Sequence, residues 1–117
     1  MIDGDVLIER FGDEEFLVEL WTEARPEISE ISQSVRKLLE TTPLPEETGK
    51  LLHKFRGLIS NFLTANVAIP RLKACEAAVQ SKNVSEAQSH WGSFQENFSQ
   101  ETTELESWLQ QKGHVLK

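Results

Sequence analysis

The sequence is poor in cysteine, in phenolic side chains and in backbone breakers. It carries a single cysteine, Cys75, and no tyrosine. One thiol closes no internal disulfide, and a small secreted domain would carry several. Six glycines and four prolines in 117 residues are too few for a disordered or collagen-like chain. Runs of β-branched residues are scarce, which disfavours strands. No apolar run approaches the ~20 residues of a membrane span. The acidic opening Met1-Ile2-Asp3-Gly4-Asp5 has no basic region followed by an apolar run, so it reads as neither secretory signal nor transit peptide. These absences predict a cytoplasmic protein that does not engage a membrane. Positive charge is also short, with 12 Lys and Arg against 19 Asp and Glu and a net charge of −7. Such a surface repels phosphate backbones, so no nucleic-acid partner is expected.

What is present is helical periodicity. The length fits one domain spanning residues 1–117, with a modest core. A short leading helix is predicted from about Asp5 to Arg10. Asp13 suits the N-cap of the next helix, and Glu14 and Glu15 suit its first turn. Leu17, Trp21, Ala24, Ile28, Ile31, Val35 and Leu38 then follow at spacings of three and four, a single apolar stripe. Pro26 lies within the stripe; because the stripe keeps phase beyond it, a kink rather than a break is expected.

Thr41-Thr42-Pro43-Leu44-Pro45 reads as a turn, followed by a third helix from about Pro45 to Thr64 with Asn66 as its stop. Pro70 opens a shorter helix with Leu72, Cys75 and Val79 on one face. Asn83-Val84-Ser85-Glu86 reads as a capping box with Asn in place of Ser or Thr. The last helix carries Val84, Ala87, Trp91, Phe94, Phe98, Leu105 and Trp108, with the register interrupted at Glu101 and Gly113 closing it. Amphipathic helices joined by short turns predict an all-α, antiparallel four-helix bundle with a short additional N-terminal helix. Heptad-like stripes also suit a coiled-coil oligomer, but the frequent turns favour a monomer.

The third helix carries the chemistry. At roughly 100° per residue, Leu51, Leu52, Phe55, Leu58, Ile59 and Phe62 fall on one side. His53, Arg56, Gly57 and Ser60 fall on the other, at i, i+3, i+4 and i+7. A mid-helix glycine costs roughly 1 kcal/mol against alanine. Gly57 stands one turn from His53, where a missing side chain clears space beside the imidazole. Arg56 shares that face, and a guanidinium can hydrogen-bond two phosphoryl oxygens at once. Lys50, Lys54 and Arg56 form a local basic patch in an acidic chain. An imidazole with the reference pKa of ~6.5 is substantially neutral at cellular pH, and its bare nitrogen can attack phosphorus with no activating triad. A surface histidine on a helix is ordinarily just solvated; His53 is set apart by this neighbourhood.

His53-Lys54-Phe55-Arg56-Gly57 resembles the H-x-x-[K/R]-G signature of histidine-containing phosphotransfer (HPt) domains. The likeness extends to Glu9-Arg10-Phe11-Gly12-Asp13-Glu14-Glu15-Phe16 and Trp21-Thr22-Glu23-Ala24-Arg25-Pro26-Glu27, which resemble the start and middle of that family's second helix. Cys75-Glu76 and the stretch from Asn83 to Leu109 resemble its closing helices, so the likeness covers almost the whole chain. The resemblance implies a four-helix bundle with an exposed phosphoacceptor, His53. Arg56 and nearby Lys54 would stabilise the phosphate, with Ser60 further along that face, and Gly57 would be the access glycine. It also implies a carrier rather than an enzyme. The protein itself would hold no cofactor or metal. The partner, a receiver domain of a response regulator or hybrid sensor kinase, would supply the aspartate and the Mg²⁺.

Three departures stand out. Arg56 occupies a position where lysine is commoner. Leu58 and Ile59 replace small residues and fall on the core side of the wheel. Leu63 replaces a glycine, and one extra residue before Cys75 bears on the loop between the third and fourth helices.

The other candidates read as structural. His90 adjoins the apolar stripe and His114 falls in a frayed tail. Three scattered histidines and one cysteine show no metal-ligand spacing. Cys75, Trp21, Trp91 and Trp108 read as core. An apolar docking patch is expected around His53, built from the third helix and its neighbours, first of all around Phe16 and Leu20 on the second helix. The expected function is therefore a phosphorelay intermediate on His53. The alternative is a helical interaction module that binds receiver domains without carrying phosphate.

Overall fold

Local capping chemistry starts both long helices. A computed structural model describes residues 2–65 and 67–114. The Asp13 carboxylate accepts the Phe16 amide at 2.7 Å and opens α2, Glu14–Leu39, after the short α1, Gly4–Phe11. The Asn83 side chain accepts the Glu86 amide at 3.1 Å and opens α5, Val84–Gln111. Between them lie α3, Glu47–Ile59, and α4, Ala68–Gln80. No strand occurs among the described residues. The fold is an antiparallel four-helix bundle, α2 to α5, with α1 added at its N-terminus.

Most of the expected stripes are buried. Leu17, Trp21, Ala24, Ile28, Ile31 and Val35 of α2 face Leu52, Phe55 and Ile59 of α3, Leu72, Cys75 and Val79 of α4, and Ala87, Trp91, Phe94, Phe98 and Leu105 of α5. Phe55 sits at the centre, its ring 5.7 Å from Phe94 and 5.8 Å from Trp91. A ring of this size buries enough apolar surface to stabilise the fold by roughly 2–3 kcal/mol. It also fixes which face of α3 points outward. Helix α2 runs unbroken through Pro26, which is exposed, so solvent can satisfy the carbonyl that the proline leaves without a donor.

Several boundaries and phases differ from expectation. The third helix begins at Glu47, not Pro45, and gives way at Ser60 to a tighter 3-10 turn, Ser60–Phe62, rather than continuing to Thr64. The Arg10 guanidinium takes the carbonyls of Asn61 at 3.1 Å and Leu63 at 2.8 Å, satisfying groups that a continued helix would have used. Phe62 stacks on Phe11 and meets the edge of Trp21, which seals that corner. Leu63 is extended and buried, so the leucine fills core rather than a left-handed turn. The expected stop at Asn66 lies outside the described residues.

Helix α4 starts two residues before Pro70, which sits in the first turn where no amide donor is required. It ends in a Schellman motif with Lys82 at φ 57°, where the Lys82 amide reaches Val79 and the Asn83 amide reaches Ala78. The expected capping box is thus half formed, because the Asn83 amide is already committed to Ala78.

At the C-terminal ends of the two longest helices, Leu39 is buried where Leu38 was expected, and Leu109 where Trp108 was expected. Leu38 and Trp108 are half-buried instead. A Cβ on Gly4 would overlap the Trp108 ring, so glycine there allows α1 to lie against α5. Glu101 occupies the core position in the interrupted turn and is buried. Burial pushes its carboxyl above the usual 4.5, opposed by the backbone amides of Ala68, the first residue of α4, and of Ala65 in the loop before it. No helix among the described residues is long and apolar enough to cross a membrane.

Candidate functional site

Burial of Leu52, Phe55 and Ile59 turns the opposite face of α3 to solvent, and His53 stands there with 75% of its side chain exposed. Its ring is held through one nitrogen. Arg56 Nη2, one turn on, lies 3.2 Å from His53 Nδ1, and Glu76 Oε1, on α4, lies 3.5 Å from the same atom. Nε2 has no hydrogen-bond or ion-pair partner among the described residues. Arg56 is in turn anchored, its Nε donating to Glu76 Oε2 at 2.6 Å. Glu76 is the most buried of the three, its side chain only 13% exposed. The carboxylate thus fixes the guanidinium, and both border the imidazole.

The two contacts at Nδ1 ask for opposite tautomers. Arginine can only donate, so its contact needs an unprotonated Nδ1; the carboxylate can only accept, so its contact needs Nδ1–H. The arginine contact is the shorter and lies within hydrogen-bonding range. A hydrogen bond from Arg56 is made by the tautomer whose Nδ1 is unprotonated.

Gly57 is open on the outside of the helix, with nothing within 4 Å of a Cβ placed there. The fold therefore supplies no packing reason for the glycine. Gly92 on α5 is equally open, so openness alone does not mark a site. Gly57 differs in its surroundings: it stands one turn from His53 and lines a groove of about 340 Å³ with Phe11, Leu20, Glu23, Glu27 and Leu58. Ile59 is buried as the wheel predicted, but Leu58 is half-exposed and forms part of this groove. Leu20 of the expected docking patch lines it too, and Phe16, one turn earlier on α2, is 46% exposed.

The remaining expected residues separate. Lys54 is exposed and lines a different groove, between α2 and α3, together with Lys50. The basic patch read from the sequence is therefore divided. Arg56 is neutralised by Glu76 on the α4 side, and the two lysines stay unpaired among the described residues on the α2 side. Ser60 does not converge on the imidazole; its hydroxyl donates to the Gly57 carbonyl at 3.4 Å.

Glu76 was not singled out from the sequence. Its signal was its place at the border of the α4 stripe, one residue after the buried Cys75. His114 departs from its expectation as a frayed residue. Gly113 at φ 92° closes α5 with a Schellman motif, and His114 Nε2 lies 3.0 Å from Glu14 Oε1. His90 is half-buried, as expected.

Cys75 is fully buried, its Sγ donating to the Ala87 carbonyl at 3.3 Å. Burial, and then the charge of Glu76, push its thiol up to about 12, so it is not a nucleophile. No group of side chains suited to a metal ion occurs among the described residues. The site therefore comprises one exposed imidazole, an anchored guanidinium, a carboxylate counter-ion and a cleared approach. No family model, curated protein or solved structure matches the chain.

Proposed function

We propose that the protein is a phosphorelay intermediate of the histidine-containing phosphotransfer kind, accepting a phosphoryl group on His53 from a receiver domain and passing it to another. The observation that carries this reading is the state of the His53 ring. It is exposed on a helix, hydrogen-bonded or ion-paired only through Nδ1 among the described residues, and flanked by an anchored arginine and an open glycine.

The chemistry follows from that arrangement. An incoming phosphoryl oxygen draws Arg56 Nη2 from Nδ1, while Arg56 Nε stays on Glu76. The ring then holds its proton at Nδ1, and the Nε2 lone pair attacks phosphorus. The phosphorus–oxygen bond of the aspartyl phosphate breaks and its electron pair returns to the carboxylate. The phosphorylated ring carries a positive charge, which Glu76 Oε1 faces at 3.5 Å. In the second transfer an aspartate of the next receiver attacks phosphorus, and the nitrogen–phosphorus pair returns to Nε2. The partner supplies the aspartate and its Mg²⁺; this chain contributes position, charge and access.

The rival reading, a helical module that binds receivers without carrying phosphate, is supported by the exposed Phe16 and by the groove one turn on, where Leu20 and Leu58 lie beside Glu23 and Glu27. Labelling by phosphorylated receiver domains, run beside His53→Gln, separates the two. The relay predicts label on the wild type alone, with melting of the variant nearly unchanged because the side chain is exposed. Binding without label on either protein would favour the module.

A further inference from the structure

Three of the chain's seven lysines line a single groove. Lys37, Lys50 and Lys54 border a depression of about 570 Å³ between the C-terminal half of α2 and the N-terminal half of α3. Leu38 and Leu51, both half-buried, form its apolar floor, and Glu47 is the one carboxylate in its lining. Among the described residues none of the three ammonium groups is in an ion pair. Leu38 is left in this floor because the buried stripe of α2 ends at Leu39 instead. At the other end of the same α2–α3 seam lies the groove beside Gly57, whose charged lining residues are Glu23 and Glu27. The seam is therefore positive at one end and negative at the other. His53 lines neither groove, but along α3 it falls between them, next in sequence to Lys54 and one turn before Gly57.

We propose that this two-signed seam is the docking face for the partner receiver domain and sets its orientation. An acidic edge of the partner carrying an apolar side chain seats over Leu38 and Leu51 among the three lysines, and a basic edge lies over Glu23 and Glu27. In a chain of net charge −7, three unpaired lysines around an apolar floor fit an acidic protein edge and no basic one. A partner turned end for end would meet like charge at both ends, so one orientation alone brings its phosphoryl donor to His53. This inference rests on the relay reading for the identity of the partner, but its test does not need phosphoryl transfer to occur.

The experiment titrates purified receiver domains from the same organism against the wild type, Lys37→Glu/Lys50→Glu and Lys37→Gln/Lys50→Gln, at low and high salt. Neither lysine belongs to the phosphate-binding set. In parallel, each protein is labelled with phosphoramidate, a small donor that needs no docking. The charge reversal is expected to raise the Kd by about tenfold at low salt, with the neutral pair intermediate and the difference shrinking at high salt. Phosphoramidate labelling of His53 should stay within about twofold, since neither lysine touches the imidazole. An unchanged Kd in both variants, or no receiver that binds the wild type, would overturn the docking inference. Loss of receiver binding in the lysine variants, with no label on wild-type His53 from any donor, would keep the docking face and remove the relay reading.

Discussion

Alanine in place of Gly57 should make the protein more stable and its phosphoryl transfer slower. Gly57 lies in the body of α3, and a Cβ there meets no atom within 4 Å. The substitution therefore costs no packing and recovers the helix propensity that glycine forfeits, about 1 kcal/mol. For a domain of this length that corresponds to a rise in Tm of about 4 °C. Gly92→Ala provides the matched control, since Gly92 is also helical and also open. Thermal melts of the two variants should rise together. Transfer from a phosphorylated receiver should fall only in Gly57→Ala, and by about tenfold or more in Gly57→Gln, whose side chain reaches across the approach to the imidazole. If Gly57→Ala lowered the Tm, the glycine would serve the fold. If Gly57→Gln transferred at the wild-type rate, the idea that the glycine clears a path would be wrong.

Three further outcomes follow from the buried and paired groups. Glu101 is buried with its carboxyl raised above 4.5, so the folded state keeps a proton that the unfolded state has released. Stability should therefore rise as pH falls from neutral toward 4.5, and Glu101→Gln should raise stability at neutral pH and flatten that rise; a drop at neutral pH in denaturant titrations would contradict it. Thr48 is fully buried and its hydroxyl has no hydrogen-bond partner among the described residues, so Thr48→Val should gain about 1 kcal/mol in the same titrations, and a loss would reveal a partner for that hydroxyl. Arg56→Ala and Glu76→Ala should couple in a double-mutant cycle by about 1–2 kcal/mol of stability, given a 2.6 Å charged hydrogen bond on partly buried side chains, and additive effects would deny the anchor.

What could be read from the sequence was what is local along the chain. Asp13 and Asn83 announce helix starts because a cap is a contact over three residues, and both side-chain caps are formed. His53, Arg56 and Gly57 share a face because i, i+3 and i+4 on a helix do so by geometry. In the two longest helices the phase slips at the C-terminal ends, at Leu38 and Leu39 and at Trp108 and Leu109. A choice between steps of three and four drifts against a 3.6-residue turn, and the drift accumulates in helices of 26 and 28 residues. The end of α3 at Ser60 depends on Arg10, which is fifty-one residues from the Asn61 carbonyl that it takes. Glu76 reaches Arg56 from another helix, and the lysine groove needs Lys37 of α2 beside Lys50 of α3. Those pairings arise only once α3 is packed between α2 and α4. The sequence therefore indicated the face that carries His53 and Arg56, but not the carboxylate that anchors the arginine.

The central claim is that His53 both takes and gives a phosphoryl group. The direct measurement is a pulse and chase: label the wild type from one phosphorylated receiver, remove that donor, and add a second, unphosphorylated receiver. The account predicts acid-labile, base-stable label on the wild type, none on His53→Gln, and passage of the label to the second receiver. A label that persists in His53→Gln, or one that no receiver can remove from the wild type, would contradict it.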